Sequence, residues 1–168
     1  MIVIRKFFLQ NGQFTIATTP VLIATVLGSC VAVCLWDKKK KIGGMNHYLL
    51  PGSEEDSAGN ADRGFTAVKM LIRSLLNRGV DKTDLEAKVF GGCNSLYQQN
   101  DLFEIGKRNV DIAKKILKEH DIPIAASDTG GQFGRKIIFN TGTGKVRVRL
   151  LKRTAAEINE EINKGFNY

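Results

Sequence analysis

The sequence predicts a single α/β domain of the α+β type, in which mixed, mostly antiparallel sheets carry two main helices. Three observations lead to this fold class. The first fifty residues alternate short β-like segments with turn residues, two central segments have helical periodicity, and further β-like segments follow them. A chain of 168 residues is long enough for one domain with its own hydrophobic core. We therefore expect residues 1–168 to form one domain with helices packed on sheet.

Five candidate strands occupy the N-terminal third of the chain. They are separated by an Asn-Gly pair, by Pro20, by a Gly-Ser step and by a run of charged residues after Trp36. A polar loop without periodicity, residues 51–60, follows the last of them. The predicted strands are 2–9, 13–18, 21–26, 31–36 and 42–50.

Two amphipathic helices are predicted next, because apolar residues recur at helical spacing over 61–78 and again over about 104–120. The segment EAKVFGG between them has the pattern of a buried strand. Three more strands are predicted in IPIAASD, RKIIFN and KVRVRLL, with TGTG as the hairpin turn between the last two. The tail, residues 154–168, has only a weak amphipathic pattern and is either flexible or helical.

Composition argues against several classes of protein. Hydrophobic residues make up 43% and charged residues 25%, which is close to the globular average and unlike a disordered chain. The N-terminus lacks the layout of a secretory signal, and no apolar run reaches the roughly 18 residues that a membrane span needs. We therefore expect a cytoplasmic protein without membrane insertion. Three cysteines, an odd and sparse set, favour reduced thiols over a disulfide framework.

The charge and the ligand spacings also limit the possible partners. No Cys-x-x-Cys or His-x(3–5)-His spacing occurs, so we expect neither a metal site nor a cofactor. The net charge of +8 comes without an RNA-binding aromatic signature, a zinc finger or a recognition helix. The charge therefore favours attraction for acidic partners over binding of nucleic acid.

One cysteine and one histidine are placed so that a hairpin can bring them together. If the strand after Cys30 pairs with the strand that contains His47, with Trp36 opposite Ile42, the two residues are one position out of register. A bulge at the glycine pair 43–44 would correct this. Directly paired side chains have Cβ atoms about 4.5–5.5 Å apart, so the thiol and the imidazole would then be close enough to share a proton.

Such a pair fits nucleophilic catalysis. The thiolate is the nucleophile, and a histidine beside Cys30 can take its proton and later return it to a leaving amine. Gly28 and Ser29 set the cysteine at the mouth of a strand, where backbone N–H groups could cradle an oxyanion. Thr25 could orient the imidazole of His47 or bind a substrate amide.

Each of these residues also has a plainer structural explanation. A cysteine in an apolar strand is more often a small buried hydrophobe, and this is our interpretation of Cys34. Thr25 fits a strand by its β-branched shape alone, and His47 could hydrogen-bond within the core. His120 is expected near the surface at the end of a helix. Cys93, at a strand end, is a second thiol candidate.

Several blocks of the sequence resemble one family. The segments TVLGSCVAVCLWD and GGMNHYLLP are followed by EAKVFGG, IGKRNV and SDTGGQFGRKIIFNTGTGKV, and together they cover most of residues 25–150 in order. These blocks are similar to the signature of CheD, the chemoreceptor glutamine deamidases of bacterial chemotaxis. The Gly-Ser-Cys block and the Gly-x-x-His block are the most specific part of the resemblance.

The resemblance implies an activity and the residues that perform it. The expected reaction is hydrolysis of selected glutamine side chains to glutamate on the cytoplasmic domains of chemoreceptors, with release of ammonia. By the same resemblance Cys30 attacks the amide carbon, and His47 protonates the departing ammonia and then activates the water that resolves the thioester. Thr25 assists, although some members carry this threonine one residue farther from the cysteine, where this chain has Ala24.

The resemblance also implies a partner and a related fold. Members bind a CheC-type phosphatase, and the fold is expected to resemble the catalytic domain of cytotoxic necrotizing factor toxins, which carry a similar Cys–His pair. The segment TGGQFGR has two interpretations. It frames the site or a receptor-docking surface through Gly130, Gly131 and Arg135, or it is simply a glycine-rich turn before a strand. Cys93 stands where the resemblance leads us to expect a smaller residue, a departure that leaves the proposed chemistry untouched.

Other functions remain open at this point. The chain could be a non-catalytic interaction module that docks on receptors or on a CheC-type phosphatase. It could also be a thiol redox protein or a cysteine-protease-like protein, because hydrolysis of a side-chain amide and of a peptide bond share their first step. Methylesterase activity on methylglutamate would use similar acyl chemistry.

Overall fold

The computed structural model describes residues 4–94 and 103–152. Within these ranges the chain forms nine strands, two α-helices and one 3-10 turn, and the strands form one five-stranded and one four-stranded sheet. The two sheets face each other, and the helices cover the other side of the larger sheet. The predicted α+β fold with two main helices and mixed sheets is confirmed.

The larger sheet has the strand order β2-β5-β4-β6-β7. All neighbours in it are antiparallel except β6 and β7, which are parallel. Because α2 connects these two parallel strands, the chain makes a β-helix-β crossover there. The five strands are β2 Gln13–Ala17, β4 Val31–Asp37, β5 Ile42–His47, β6 Leu85–Gly91 and β7 Ile124–Thr129.

The smaller sheet has the order β1-β3-β8-β9, in which only the β1–β3 pair is parallel. Its inner face contributes Ile23, Ile137 and Phe139 to a core between the two sheets. The chain passes from this sheet to the larger one through three residues, Gly28, Ser29 and Cys30, of which the first two form a bend. The four strands are β1 Arg5–Phe8, β3 Val21–Leu27, β8 Gly134–Asn140 and β9 Val146–Leu151.

The two helices, α1 Gly64–Leu76 and α2 Phe103–Glu119, pack on the outer side of the larger sheet. No helix in the described parts of the chain is long and apolar enough to cross a bilayer. The central strand β4 is buried on both faces, with Val31, Val33 and Leu35 toward the helices and Ala32 and Cys34 toward the smaller sheet. This burial explains why its sequence is an almost unbroken apolar run. Cys34 is a buried core residue, as predicted.

Several element boundaries differ from the prediction for local reasons. The strand predicted over 42–50 ends at His47, because the N–H groups of Leu49 and Leu50 donate to the carbonyl of Asp62 instead of continuing the ladder. The helix predicted over 61–78 begins at Gly64, whose N–H donates to the carbonyl of Leu50. The tail, residues 154–168, lies outside the described residues, so the extent of the domain stays a prediction.

The predicted register of the β4–β5 hairpin is wrong by one residue. Trp36 pairs with Gly43 rather than with Ile42, and Ile42 pairs with Asp37. The Asp37 carboxylate accepts hydrogen bonds from the N–H groups of Lys39 and Lys40, and this turn fixes the register. The same register holds at the far end, where Val31 bridges Tyr48, so no residue is inserted between.

The predicted bulge at the glycine pair is therefore not needed. Both glycines instead allow close packing. A Cβ on Gly43 would lie 3.1 Å from the carbonyl oxygen of Leu35, and one on Gly44 would lie 2.7 Å from that of Thr15. A side chain at Gly44 would therefore force the neighbouring strand to shift, and one at Gly43 would fit only if its neighbours moved by a few tenths of an ångström.

Gly144 allows a test of how tightly the hairpin between β8 and β9 packs. Its φ is +70°, and a Cβ there would lie 2.3 Å from the ring of Trp36, whose Nε1 donates to the carbonyl of Thr141. We expect Gly144→Ala to lower the free energy of unfolding by about 1–3 kcal/mol more than Gly130→Ala does. Gly130 is the matched control because its φ is +73° and its Cβ would meet nothing within 4 Å. Equal losses in urea denaturation would contradict the packing explanation.

Candidate active site

Cys30 lies directly after the turn that joins the two sheets. Its side chain is on the face of β4 that looks toward the smaller sheet, the face it shares with Ala32 and Cys34. The residue is 9% exposed, so its sulfur is at the boundary between core and solvent. The thiol donates a hydrogen bond to Oδ1 of Asn11, at 3.6 Å, from the loop between β1 and β2.

His47 is the last residue of β5 and is almost fully buried. The observed register places it opposite Ala32 and not opposite Cys30, which corrects the predicted direct pairing. Since Cys30 is two residues from Ala32, it shares the face of His47 in a diagonal position. Diagonal neighbours across an antiparallel pair are about 7–8 Å apart, within reach of long or aromatic side chains.

Thr25 links the two sheets at this point. It lies on β3 and is fully buried, and its Oγ1 is 2.7 Å from the carbonyl oxygen of Leu9 and 2.7 Å from Nδ1 of His47. Ala24 lies on the opposite face of β3, in a groove on the outer side of the smaller sheet. The structure therefore places Thr25, and not Ala24, beside the histidine.

These two contacts determine the tautomer of the imidazole. The hydroxyl of Thr25 has one proton, and the carbonyl of Leu9 can only accept it. Nδ1 of His47 must then carry a proton and donate it to Oγ1. Nε2 is left with its lone pair, and it is a buried atom without a hydrogen-bond partner among the described residues. His47 is thus oriented by Thr25 and has a basic nitrogen available.

Burial keeps both members of the pair neutral. It lowers the pKa of His47 to about 4 and raises the pKa of Cys30 to about 11. Backbone hydrogen bonding at Cys30 and Gly28 lowers the pKa of the thiol and so opposes the second shift, whereas nearby Cys93 adds to it. At neutral pH the resting state is therefore a neutral thiol, hydrogen-bonded to Asn11, and a neutral imidazole on the same face of the larger sheet.

Of the remaining predicted site residues, Arg135 has a structural role. The Arg135 guanidinium is 2% exposed and binds the Asp128 carboxylate at 2.9 Å as well as the carbonyl oxygens of Asp128, Gly130 and Phe133. It therefore closes the loop between β7 and β8. Whether Gly130 and Gly131 contact a substrate stays a prediction.

That loop nevertheless lies close to the cysteine. Gly130 N–H donates to the carbonyl of Gly91, and Gly92 N–H donates to the carbonyl of Cys30. The carbonyl of Gly131 accepts a hydrogen bond from the N–H of Asn94. The loop between β7 and β8 is therefore attached to the strand end that borders the candidate nucleophile.

Two residues near the site were missed by the sequence reasoning. Asn11 was part of a turn signal, and its contact with Cys30 depends on how the turn folds over the sheet. Asn109, in α2, donates to the carbonyl of Ser29, so that Ser29 takes part through its backbone. Asn109 lies within the IGKRNV block of the resemblance, but neither that block nor the turn signal at Asn11 indicates which residue is contacted. Among the described residues, no group of three or more His, Cys, Asp or Glu side chains is arranged to hold a metal ion.

Comparison with known proteins identifies relatives. A family model described as CheD chemotactic sensory transduction matches residues 49–150, a range that begins after His47. The probable chemoreceptor glutamine deamidase CheD of Sulfurimonas denitrificans is 42% identical over 152 residues, covering 89% of this chain and 97% of the relative. An alignment that covers 89% of the chain leaves out too few residues at either end to omit Cys30 or His47.

Two further similarities complete the comparison. The probable chemoreceptor glutamine deamidase CheD of Trichlorobacter lovleyi is 45% identical over 143 residues, covering 85% of this chain and 89% of the relative. Among solved structures, the hypothetical protein YfiH of Bacillus licheniformis has a TM-score of 0.48 and 14% identity over 71% of this chain and 51% of its own. This likeness adds nothing to the family assignment, and the predicted similarity to the toxin fold stays a prediction.

The buried imidazole should make stability depend on pH. Because the pKa of His47 is lowered to about 4 in the folded protein, the unfolded chain binds its proton first as the pH falls. The stabilisation by neutral His47 is complete above the unfolded pKa of about 6.5 and is lost progressively toward pH 4, in total about 3 kcal/mol. We expect His47→Gln to reduce this fall in urea denaturation between about pH 4.5 and 7.5. His120→Gln, which removes the other histidine, should keep the wild-type dependence; an unchanged dependence in His47→Gln would contradict the buried neutral state.

Proposed function

Because the chain belongs to the CheD family, we propose that it hydrolyses glutamine side chains to glutamate on the cytoplasmic domains of chemoreceptors. The observation that carries the proposal is the geometry of His47, whose Nδ1 is held by Thr25 while the buried Nε2 has no hydrogen-bond partner among the described residues. The names of the relatives supply the substrate class. Because these receptor domains lie in the cytoplasm, we propose that the enzyme acts there.

In the first step Cys30 becomes the nucleophile. Nε2 of His47 takes the thiol proton while the sulfur attacks the carbonyl carbon of the glutamine amide. The carbonyl oxygen becomes an oxyanion in the tetrahedral intermediate. We assign the stabilisation of that charge to the backbone N–H groups of Gly28 and Cys30, because hydrogen bonding at these two residues already favours the thiolate form of Cys30.

In the second step the intermediate collapses. The imidazolium returns its proton to the amide nitrogen, the C–N bond breaks, and ammonia leaves a thioester between Cys30 and the glutamyl side chain. A water molecule then attacks the thioester with His47 as base, which gives glutamate and restores the thiol. Each proton that His47 takes is given back within the cycle, so no cofactor is required.

The low basicity of the buried imidazole suits this sequence of proton transfers. An ion pair of thiolate and imidazolium is disfavoured because burial opposes both charges. The proton therefore moves as the sulfur bonds to carbon, when the charge passes to the oxyanion and its N–H donors. An imidazolium with a pKa of about 4 is also a stronger acid than an ordinary imidazolium, which favours transfer of its proton to the leaving nitrogen.

Partners follow from the same proposal. The chemoreceptor cytoplasmic domain is the protein substrate, and the net charge of +8 would favour encounter with an acidic surface on it. A CheC-type phosphatase is a further proposed partner that rests on the family resemblance alone. A purely docking role is the rival function, and it leaves the orientation of His47 by Thr25 without a purpose.

The activity can be tested by mass spectrometry of a chemoreceptor cytoplasmic fragment incubated with the protein. Deamidation adds about one dalton at each modified glutamine, and we expect this gain with the wild type and none with Cys30→Ala. Cys93→Ala is the control because it removes a neighbouring thiol that the mechanism does not use. A bound but unchanged fragment would support the docking role. A shortened fragment would indicate a protease, and loss of methyl groups from methylglutamate would indicate a methylesterase.

The pH dependence of the reaction gives a separate test. In the free enzyme His47 must be neutral and Cys30 protonated, which holds between a pKa of about 4 and one of about 11. We therefore expect kcat/KM for deamidation to be nearly constant from about pH 5.5 to about pH 8.5, without an acid limb near the ordinary histidine pKa. An acid limb between about pH 6 and 7 would show that the imidazole is solvated in the reactive enzyme.

A further inference from the structure

The two strands of the hairpin that carries Cys30 and His47 separate just beyond these two residues. The last bridge between the two chain segments joins Val31 and Tyr48. After this point Leu49 donates its N–H to the carbonyl of Asp62, and the other segment turns away at Ser29. The backbone ladder therefore does not hold Ser29 and Leu49 together, although these residues lie next to Cys30 and within two of His47.

The side chain of Asn109 bridges this gap. Asn109 is fully buried in α2, and its Nδ2 donates to the carbonyl of Ser29 at 2.9 Å and to the carbonyl of Leu49 at 2.9 Å. The side-chain amide of Asn109 thus links the two segments at the position where the backbone hydrogen bonds between the strands end. Each of its two N–H protons serves one of the two segments.

Asn109 is itself anchored to the histidine strand. The hydroxyl of Tyr48, the residue after His47, donates to the backbone carbonyl of Asn109, and both residues are buried. Val110, the next residue of α2, belongs to the core between the helices and the larger sheet. The helix therefore holds the carboxamide in place from both the tyrosine and the core.

The bond to Ser29 bears on the chemistry through the peptide group. The carbonyl of Ser29 and the N–H of Cys30 belong to one planar unit and point in opposite directions. Holding the carbonyl therefore fixes the direction of the N–H of Cys30, the residue that carries the candidate nucleophile. A donor aimed in advance at the developing charge stabilises it without reorganisation.

On the basis of the proposed function, we infer that Asn109 is a positioning residue, which holds the Ser29–Cys30 peptide and the segment after His47 in the reactive arrangement. The residue type fits this role. A buried carboxamide supplies two neutral donors, whereas aspartate supplies none when ionised and leucine supplies none at all. A lysine would bring a charge into the core.

The test compares Asn109→Asp and Asn109→Leu with the wild type in two assays. The first is the alkylation rate of Cys30 by iodoacetamide, located by peptide mass spectrometry, which requires no receptor. The second is deamidation of the receptor fragment, with kcat expressed per folded molecule. Asn46→Asp is the matched control, because Asn46 is equally buried but uses Oδ1 to accept from Val33 N–H, a bond that a carboxylate keeps.

We expect both Asn109 variants to lower kcat by about 10- to 100-fold while KM changes by about twofold or less. Alkylation of Cys30 should also be slower in both variants than in the wild type, because the thiolate loses a fixed donor. In Asn109→Asp burial raises the pKa of the introduced carboxyl, and its protonated form can donate one bond. Its kcat relative to the wild type should therefore rise as the pH is lowered from about 8 to about 6, and Asn109→Leu should show no such recovery.

Unchanged alkylation and unchanged kcat in both variants would overturn the inference, and so would a loss no larger than that of Asn46→Asp. If the wild type deamidates no receptor, the proposed function fails, but the alkylation rates still decide whether Asn109 positions Cys30. If both Asn109 variants fold poorly, Tyr48→Phe takes their place. It removes the hydroxyl anchor and keeps the carboxamide, so slower alkylation of Cys30 would support the inference and an unchanged rate would overturn it.

Discussion

The geometry of the candidate site depends on one hydrogen bond between the two sheets, from Nδ1 of His47 to Oγ1 of Thr25. The threonine lies on the four-stranded sheet and the histidine on the five-stranded one, so the bond exists only when the sheets are packed. The carbonyl of Leu9, in the chain that follows β1, takes the hydroxyl proton and so decides which nitrogen of the imidazole is basic. The tautomer of a single ring is therefore a consequence of how the whole sandwich is assembled.

Burial gives the Cys–His pair its chemical character. A solvated pair in a cysteine hydrolase can rest as thiolate and imidazolium, but here the surroundings favour the neutral form of both groups. A thiol in this state reacts slowly with chance electrophiles and oxidants. Backbone hydrogen bonding at Cys30 and Gly28 opposes this effect of burial and favours the thiolate.

The sequence predicts much of this arrangement, because most of its signals are local. The order of strands and helices and the placement of Cys30 and His47 on one hairpin follow from periodicity and turn residues. The predicted register is wrong by one residue because the buried Asp37 carboxylate binds the turn, so that Asp37 and not Trp36 pairs with Ile42. The hydrogen bond from Asn109 to the carbonyl of Ser29 joins residues that are eighty positions apart in the sequence. Arg135 closes its loop by binding backbone carbonyls. Residue spacing therefore predicts neither contact.

The attachment of α2 to the hairpin has a consequence for the maturation of the protein. The proposed nucleophile and base lie within one short stretch of chain and can meet early in folding. The helix that supplies Asn109, in contrast, makes its contact with Ser29 across a long separation in sequence. A chain that has formed its hairpin and not yet docked the helix would hold both reactive groups without an ordered site. The protein would then hydrolyse amides only once its fold is complete. Nascent or damaged chains would leave amides in the cell unchanged.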